Sequence, residues 1–302
     1  MFRDFLPDVV QVTGVYARYR SVDKAKALAQ EFSIPKVFTN FDELLQEGDF
    51  DFAYICNANH VHYEYCRMAL EAGRNVIVEK PMCPSLQEVQ DLIQSALRHH
   101  VYLFEAVTTL HLNNIRKVAE VLPSLGKVRL VECNFSQYSS RYDKYLQHEV
   151  ASSFDPKCAG GAMMDINIYN VNFVVGLFGL PIRAQYLPNK GWNGIDTSGT
   201  LVMRYPDFVA LCTGAKDCSG PSHCTIEGER GWLQVVGTPN ELPEIQTYIG
   251  GKKSKYALNQ FPHRMVQEFL EFQEIYLEDN YEKMRVFLDV SLNVIKTIDA
   301  AQ

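Results

Sequence analysis

Strand and helix patterns alternate through the first hundred residues, and this alternation constrains the fold more than any other feature of the chain. Apolar, β-branched runs such as VVQVTGVYAR (9–18), FDFAYICN (50–57) and VYLFEA (101–106) are separated by helical stretches. Such alternation is typical of a parallel sheet whose strands are joined by crossover helices. The sequence therefore predicts a doubly wound, Rossmann-type α/β half, with its ligand at the carboxyl ends of the strands.

Local signals predict where the helices of this half begin and end. Ser21 and Asn40 each precede a helical stretch and are predicted to cap it, because their side chains can accept hydrogen bonds from free N–H groups. Gly73 follows a helix predicted over about 60–72, and a glycine there is expected to end it.

After about residue 107 the pattern changes. A long alternating strand (127–137) and a helix (161–178) are followed by strands without helices between them, at 182–190, 199–205, 208–215, 223–227 and 232–235. That succession predicts a mostly antiparallel open sheet, and two helical stretches close the chain. We therefore predict two domains: a Rossmann-type domain over 1–107, and an α+β domain over 108–302.

Composition excludes several classes of partner. The net charge is −7 and the basic residues are scattered, which argues against nucleic acid or an anionic membrane. No apolar run approaches the roughly 20 residues that span a bilayer, and the amino terminus does not resemble a signal peptide. A cytoplasmic location is expected.

The eight cysteines lack Cys-x-x-Cys pairing, so they are interpreted as free thiols.

The first motif that carries chemistry is VIVEKP at residues 76–81. A strand that ends in Lys80 and Pro81 places an ammonium group at the carboxyl edge of the sheet, where cofactors bind. Proline fixes the backbone and ends strand pairing. From these residues alone, a solvated lysine in a surface turn is the alternative interpretation.

The second motif is GGAMMDINIY at residues 160–169. Two glycines before a helix allow a loop or a ligand to approach its amino-terminal end. Asp165 and Tyr169 are four residues apart and are predicted to share one helix face. A phenol has a pKa near 10, so Tyr169 can act as an acid–base group only if a cation such as Lys80 favours its ionised form. A buried tyrosine with an ordinary hydrogen bond is the alternative.

The order of these motifs resembles the glucose–fructose oxidoreductase/inositol dehydrogenase (Gfo/Idh/MocA) family over nearly the whole chain. SFDP at 153–156, IDTSG at 195–199 and Tyr169, where many members carry histidine, look most like the branch of dimeric dihydrodiol dehydrogenase. The resemblance implies an oxidoreductase that transfers a hydride between NADP(H) and a sugar, polyol or vicinal diol. It also implies that 1–107 binds the dinucleotide and that 108–302 binds substrate and forms a homodimer through its sheet.

The resemblance assigns roles to the residues of the two motifs. It implies that Lys80 contacts both the nicotinamide and the substrate hydroxyl, with Glu79 and Pro81 completing the cofactor-contacting tripeptide. It implies that Tyr169 donates or accepts the proton. Asp165 would then orient the substrate or the tyrosine.

Substrate-binding residues are expected in a segment after the long strand. Arg141 and Tyr142 are predicted to line the substrate cleft together with Asp165. Tyr138 and Tyr145 occur in the same segment and are competing candidates.

Further cofactor residues are implied by ANHVH at 58–62, which is similar to the family's Pro-Asn-x-x-His turn with alanine in place of proline. Asn59 and His62 match that turn, and Asn57 and Asn59 are expected near the nicotinamide ribose. His60 and His62 could suggest a metal, but no third ligand has a suitable spacing, so no metal site is expected.

The preference between NADP and NAD depends on Arg18. A Rossmann strand whose end carries an acidic residue favours NAD, whereas an arginine there suits the 2′-phosphate of NADP. We therefore predict NADP, with NAD possible. Arg20 is a competing candidate for the same contact, and a solvated loop arginine is the alternative interpretation.

One departure from the family concerns the phosphate-binding turn. The family opens with a strand and Gly-x-Gly-x-x-[Gly/Ala], whose N–H groups meet the pyrophosphate. The early glycine here, Gly14, lies inside a predicted strand, and residues 1–7 resemble the end of the first helix. The expectation is that the chain begins just after this turn. The alternative is that the first strand and its glycine turn have been lost, which would leave the strands on either side of that central strand unpaired.

Two other functional classes were considered. A non-catalytic sugar-sensing or interaction protein is supported by the absent glycine turn, but it would have no need of Lys80, Asp165 and Tyr169 together. A hydrolase is disfavoured because the sequence has no Gly-x-Ser-x-Gly, no His-x-x-x-His and no paired zinc cysteines.

Overall fold

The computed structural model describes residues 9–301, so the helix end predicted at 1–7 lies outside the described range. Among the described residues, the first half contains five strands: β1 (Gly14–Tyr16), β2 (Lys36–Phe38), β3 (Phe52–Ile55), β4 (Asn75–Glu79) and β5 (Leu103–Ala106). Between them lie four helices: α1 (Val22–Glu31), α2 (Phe41–Glu47), α3 (His62–Glu71) and α4 (Leu86–His99). Every pairing among these strands is parallel, which confirms the Rossmann-type half.

The parallel sheet is divided into two pieces. β1 pairs with β2, while β3, β4 and β5 form a separate sheet, and no strand within residues 9–301 joins the two. In a doubly wound sheet the first strand occupies this central place. Three aromatic rings bridge the pieces: Phe41 lies 5.2 Å from Tyr16 and 4.8 Å from Tyr65 between ring centroids. β1 is also shorter than the predicted strand over 9–18.

Two of the three predicted helix boundaries hold. The Asn40 side chain accepts a hydrogen bond from the Asp42 N–H at 2.9 Å, and Gly73 has a φ of +72° just after α3. The prediction that Ser21 caps α1 is wrong. Tyr19–Ser21 form a 3-10 turn that leads directly into α1, and Ser21 has a ψ of 4° rather than the extended backbone of a capping residue.

The second half is built on one eight-stranded sheet. Before the sheet is complete, the chain forms α5 (Asn113–Val121), β6 (Val128–Ser136), α6 (Tyr142–Leu146), a π-helical turn (Met163–Asn167) and α7 (Ile168–Phe178). The later strands are β7 (Arg183–Lys190), β8 (Asp196–Arg204), β9 (Val209–Ala215), β10 (His223–Gly228), β11 (Gly231–Val236), β12 (Glu244–Ile249) and β13 (Lys252–Tyr256). The strand order is β13-β12-β11-β10-β6-β9-β8-β7, with β6 and β9 parallel and the other pairs antiparallel. The predicted open sheet is confirmed.

The sequence analysis did not find the last two strands. β12 and β13 form a hairpin whose turn is Gly250-Gly251, with φ of +58° and +79°. Two glycines with positive φ between alternating residues are a recognised hairpin signal, and EIQTYIGGKKSKY at 244–256 contains it. The strands could therefore have been predicted.

Two closing helices connect the halves: α8 (Arg264–Leu277) and α9 (Tyr281–Asp299). α8 packs on the first sheet through aromatic contacts, with Phe272 stacked 4.5 Å from Phe104 and Phe269 edge-on to Tyr54 at 5.6 Å. α9 contacts α4, α7 and β5. One continuous hydrophobic core therefore holds the carboxyl edge of β4 against the second half. No helix in the described range is long and apolar enough to cross a membrane.

Candidate active site

Lys80 leaves the end of β4 and points into the second half rather than into solvent. Its side chain is only 12% exposed. Its Nζ donates a hydrogen bond to the backbone oxygen of Asp165 at 2.6 Å and lies 3.4 Å from Asp165 Oδ1. The alternative of a solvated turn lysine is therefore wrong. The two motifs, 85 residues apart in sequence, meet at this contact.

Asp165 lies in the π-helical turn and Tyr169 in the first turn of α7, where one regular helix over 161–178 was predicted. The Met163 N–H donates to Asp196 Oδ2 at 2.7 Å, so a carboxylate caps the start of the turn. Gly161 has a φ of +102°, and a Cβ there would lie 1.8 Å from Asp196 Oδ1. The glycine is thus required by close approach of a protein side chain.

Tyr169 presents its ring face to Lys80. The Nζ atom lies 4.8 Å from the ring centroid, which is within cation–π range. Desolvation raises the pKa of the Tyr169 phenol, and the Lys80 ammonium opposes that rise. Burial alone would lower the pKa of Lys80, but attraction to Tyr169, Asp165 and Glu79 outweighs it and raises that pKa.

A second lysine, which the sequence analysis missed, also contacts Asp165. Lys216 follows β9 directly, is 3% exposed, and places its Nζ 2.8 Å from Asp165 Oδ2. Burial opposes ionisation of Asp165, but its two lysine neighbours prevail and lower the pKa of that carboxyl. Burial lowers the pKa of Lys216. A lysine at the end of the apolar run VALCTGAK is the same signal that identified Lys80 in VIVEK.

His62 lies between the ends of two neighbouring strands. Its Nδ1 is 2.9 Å from the Pro81 oxygen and its Nε2 is 3.1 Å from the Asn57 oxygen. The residue is fully buried, and burial lowers its pKa. A neutral imidazole has one N–H, so it donates to one of these two carbonyl oxygens while the other ring nitrogen lies beside the second. The ring therefore links the turn after β3 to the turn after β4. The predicted contact of His62 with a cofactor stays a prediction.

The remaining predicted cofactor residues lie at strand ends. Arg18 follows β1 and is exposed, as is Arg20 in the adjoining 3-10 turn. Asn57 is half-buried after β3, and the Asn59 side chain donates to the Ala159 oxygen at 2.9 Å. Guanidinium, amide and ammonium groups at the carboxyl ends of these parallel strands suit the phosphates, ribose hydroxyls and carboxamide of a nicotinamide dinucleotide, so the residues present fit that group.

The predicted substrate segment lies on the Lys216 side of Asp165. The Tyr142 ring is 5.9 Å from that of Phe154, and Phe154 in turn lies 4.0 Å from Lys216 Nζ. Arg141 is exposed, with Nη1 3.5 Å from Ser153 Oγ. Tyr145 is 1% exposed, so its ring packs in the core instead of lining a cleft.

A cavity of about 480 Å³ is lined by residues that were not predicted from the sequence. Phe135 borders it, and the ring of Phe135 is 6.1 Å from that of Tyr169. Asn240 and Arg264 are among the polar residues of the lining. Within residues 9–301, no group of three or more His, Cys, Asp or Glu side chains is arranged to hold a metal ion.

Family models match both halves of the chain. Residues 3–107 match a family described as an oxidoreductase family with an NAD-binding Rossmann fold, and residues 115–234 match the GFO/IDH/MocA C-terminal domain. The chain belongs to the Gfo/Idh/MocA family. It is accordingly an NAD(P)-dependent oxidoreductase, as the motifs predict.

Curated relatives agree with this assignment. The uncharacterized oxidoreductase YgjR of Escherichia coli is 35% identical over 225 residues, which are 74% of this chain and 68% of that protein. The scyllo-inositol 2-dehydrogenase (NADP(+)) IolU of Bacillus subtilis is 28% identical over 293 residues, which are 97% and 88% of the two chains. The trans-1,2-dihydrobenzene-1,2-diol dehydrogenase of Xenopus tropicalis is 27% identical over 260 residues, which are 84% and 74%.

Solved structures share the fold. The aldose-aldose oxidoreductase of Caulobacter crescentus superposes with a TM-score of 0.84 at 18% identity, covering 99% of this chain and 92% of that one. The 3-ketoreductase KijD10 of Actinomadura kijaniata, solved with NADP and TDP-benzene, superposes with a TM-score of 0.82 at 19% identity, covering 100% and 94%. At these identities the likeness establishes the fold alone.

Proposed function

We propose that the protein transfers a hydride between NADP(H) and a sugar, polyol or vicinal diol, with Lys80 and Tyr169 handling the proton of the substrate hydroxyl. The observation that carries the proposal is the position of Lys80. Its ammonium lies at the carboxyl end of a Rossmann strand, is held by Asp165 and faces the ring of Tyr169. A buried cation beside a phenol favours the ionised form of the phenol, which can accept a proton from a hydroxyl.

The residues divide the work as follows. A bound nicotinamide supplies the hydride acceptor for oxidation, or the donor for reduction. In oxidation Tyr169 accepts the hydroxyl proton, and Lys80 stabilises the negative charge that develops on the substrate oxygen. Asp165 fixes Lys80 through its carboxylate and backbone oxygen. In reduction the same groups act in the opposite direction.

The residues around this centre complete the proposal for the cofactor. Glu79 and Pro81 flank Lys80 at the nicotinamide end, Asn57 and Asn59 lie towards the ribose, and His62 positions the turn that bears the lysine. Arg18 supports NADP over NAD, because a guanidinium pairs well with a phosphate. The name of IolU, which specifies NADP(+), is consistent with this preference.

The proposed substrate class rests on the relatives and on the cleft. Scyllo-inositol and trans-dihydrobenzenediol, which the relatives' names specify, both carry hydroxyl groups on neighbouring carbons. Arg141, Tyr142 and Asp165 are the proposed substrate contacts. We also propose the domain division at 107/108, a homodimer formed through the second sheet, and a cytoplasmic location.

A panel assay tests the proposal. Inositols, aldoses and trans-dihydrobenzenediol are incubated with NADP+ or NAD+, and formation of the reduced nicotinamide is followed by absorbance. Tyr169→Phe should lower kcat by about 10²–10⁴, the usual contribution of a general acid–base group. Tyr205→Phe is the matched control, because its buried phenol donates to the Gly179 oxygen away from Lys80 and should leave kcat unchanged.

The assay also separates the alternatives. Unchanged turnover in Tyr169→Phe would contradict the proton-handling role. A non-catalytic sugar-sensing protein would bind members of the panel in calorimetry without reducing either nucleotide.

A further inference from the structure

Lys216 gives the site a second buried cation, which the proposed reaction does not by itself require. The Asp165 carboxylate is shared, with Oδ2 2.8 Å from Lys216 Nζ and Oδ1 3.4 Å from Lys80 Nζ. Lys216 also donates to the Ser153 oxygen and lies over the Phe154 ring. At 3% exposure it is closed off from the cleft, whereas the Asp165 side chain is 39% exposed. Lys216 can therefore act on a substrate only through Asp165.

The charges of this cluster explain what such a lysine can do. If Lys80 and Asp165 formed an isolated pair, the carboxylate would cancel most of the field of the ammonium at the substrate oxygen. With Lys216 paired to the same carboxylate, the three groups carry a net charge of +1 in a region that water screens poorly. The surplus is located on the side of Lys80 and Tyr169.

We propose that Lys216 is a positioning residue that compensates the charge of Asp165, so that the charge of Lys80 remains available to the substrate alkoxide and to the phenol of Tyr169. This proposal rests on the proposed function, because it assigns Lys216 to the same proton-handling site. A merely structural role, in which Lys216 anchors the loop at Ser153 and Phe154, predicts lower stability and no change in the ionisation of Tyr169.

The pKa values of Tyr169 and Lys216 each depend on several charged neighbours. Tyr169 is influenced by Lys80 and Arg264, which lower its pKa, and by Glu79 and Glu268, which raise it. Lys216 is influenced by Asp165, by Lys80 and by Asp196. Loss of the Lys216 charge leaves all of these groups in place and makes the cluster around Asp165 neutral. The pKa of Tyr169 should therefore rise in a variant that lacks Lys216.

The first test uses the protein without substrate or cofactor. The chain is labelled with 3-fluorotyrosine, the Tyr169 signal is assigned as the one lost in Tyr169→Phe, and its fluorine resonance is followed against pH. Lys216→Met should move the titration midpoint of Tyr169 to higher pH. Lys283→Met is the matched control, because it removes another lysine–carboxylate pair, 3.1 Å from Glu271 on α8, and should leave the midpoint unchanged.

A second variant protects the test against failure to fold. Lys216→Gln removes the charge but retains a donor for the Ser153 oxygen, and it should move the midpoint in the same direction. If neither substitution moves the midpoint relative to Lys283→Met, the proposal is overturned, whatever happens to stability.

The second test uses the pH dependence of alcohol oxidation. The midpoint of kcat/KM should move to higher pH in Lys216→Met. Below the midpoint, activity should fall about tenfold for every pH unit by which the midpoint moves, and it should recover at high pH. An equal loss at every pH would indicate a structural role and overturn the proposal. If no panel compound is oxidised by the wild type, the proposed function fails, but the fluorine titration still decides the role of Lys216.

Discussion

The strands of the two halves differ in continuity. The second sheet runs unbroken through eight strands, whereas the first is divided between β2 and β1 on one side and β3, β4 and β5 on the other. Within residues 9–301, β1 and β3 are each paired along one edge only. Backbone N–H and C=O groups along an unpaired strand edge need other hydrogen-bond partners. The gap between β1 and β3 is therefore where these strands have the least hydrogen-bond support.

This difference separates the two tasks of the proposed site, which are proton transfer and cofactor binding. The groups proposed to handle and support the proton come from continuous elements: Lys80 directly after β4, Tyr169 in the first turn of α7, and Lys216 directly after β9. The proposed 2′-phosphate contact, Arg18, comes from β1 on the other side of the division. Substitutions near β4 should therefore change kcat, and substitutions near β1 should change cofactor affinity.

Among the substitutions that test this comparison, the largest effect is expected at Lys80. Lys80→Met removes the cation that faces both Asp165 and Tyr169, and loss of one preorganised charge-stabilising group typically lowers kcat by about 10²–10³. Lys117→Met is the control, because its partner Glu120 is exposed on α5. Steady-state kinetics with the best panel substrate measures the effect. A wild-type kcat in Lys80→Met would contradict the comparison, because proton transfer would then not depend on the lysine that follows β4.

A smaller effect is expected where α8 packs on the first sheet. Glu268 is fully buried, and neither of its carboxyl oxygens has a hydrogen-bond partner within the described residues. Burial raises its pKa well above 4.5, and Glu79 adds to the rise. The folded state therefore binds this proton more tightly than the unfolded state. Its contribution to stability is complete below about pH 4.5 and is lost as the pH rises through the raised pKa.

Glu268→Gln should remove this pH-dependent loss. At neutral pH the variant should be more stable than the wild type by about 1–3 kcal/mol, because keeping the buried carboxyl protonated costs about 1 kcal/mol for each pH unit above its unfolded pKa, and a glutamine amide does not ionise. Urea unfolding across a pH series measures it. Glu271→Gln is the matched control of opposite sign, because hydrogen bonds and charges from His111 and Lys283 overcome burial and lower the pKa of Glu271 to about 2. Loss of the Glu271 carboxylate should lower the free energy of unfolding at neutral pH.

The sequence predicted the parts of this comparison that depend on local pattern. The parallel strands and the open sheet follow from periodicity, whereas the expectation that Lys80, Asp165 and Tyr169 act together follows from the family resemblance. Lys216 ends the apolar run VALCTGAK, but its contact with Asp165, 51 residues earlier in the chain, is not visible in any local pattern. The π-helical turn was missed because the apolar pattern of Met163–Asn167 also fits a regular helix. Contacts across strands and small changes of helical pitch leave no periodic signal.

The smallest effect is expected on the β1 side, and it tests the comparison most directly. Arg18→Ala should raise the KM for NADP about tenfold and leave kcat unchanged, because one exposed charge-assisted hydrogen bond contributes roughly 1.5 kcal/mol. The KM for NAD should not change, since NAD lacks the 2′-phosphate. Arg20→Ala distinguishes the competing arginine, which lies two residues further in the 3-10 turn. If Arg18→Ala changed kcat rather than KM, changes at β1 would reach Lys80 across the divided sheet. Cofactor binding and proton transfer would then not be separable.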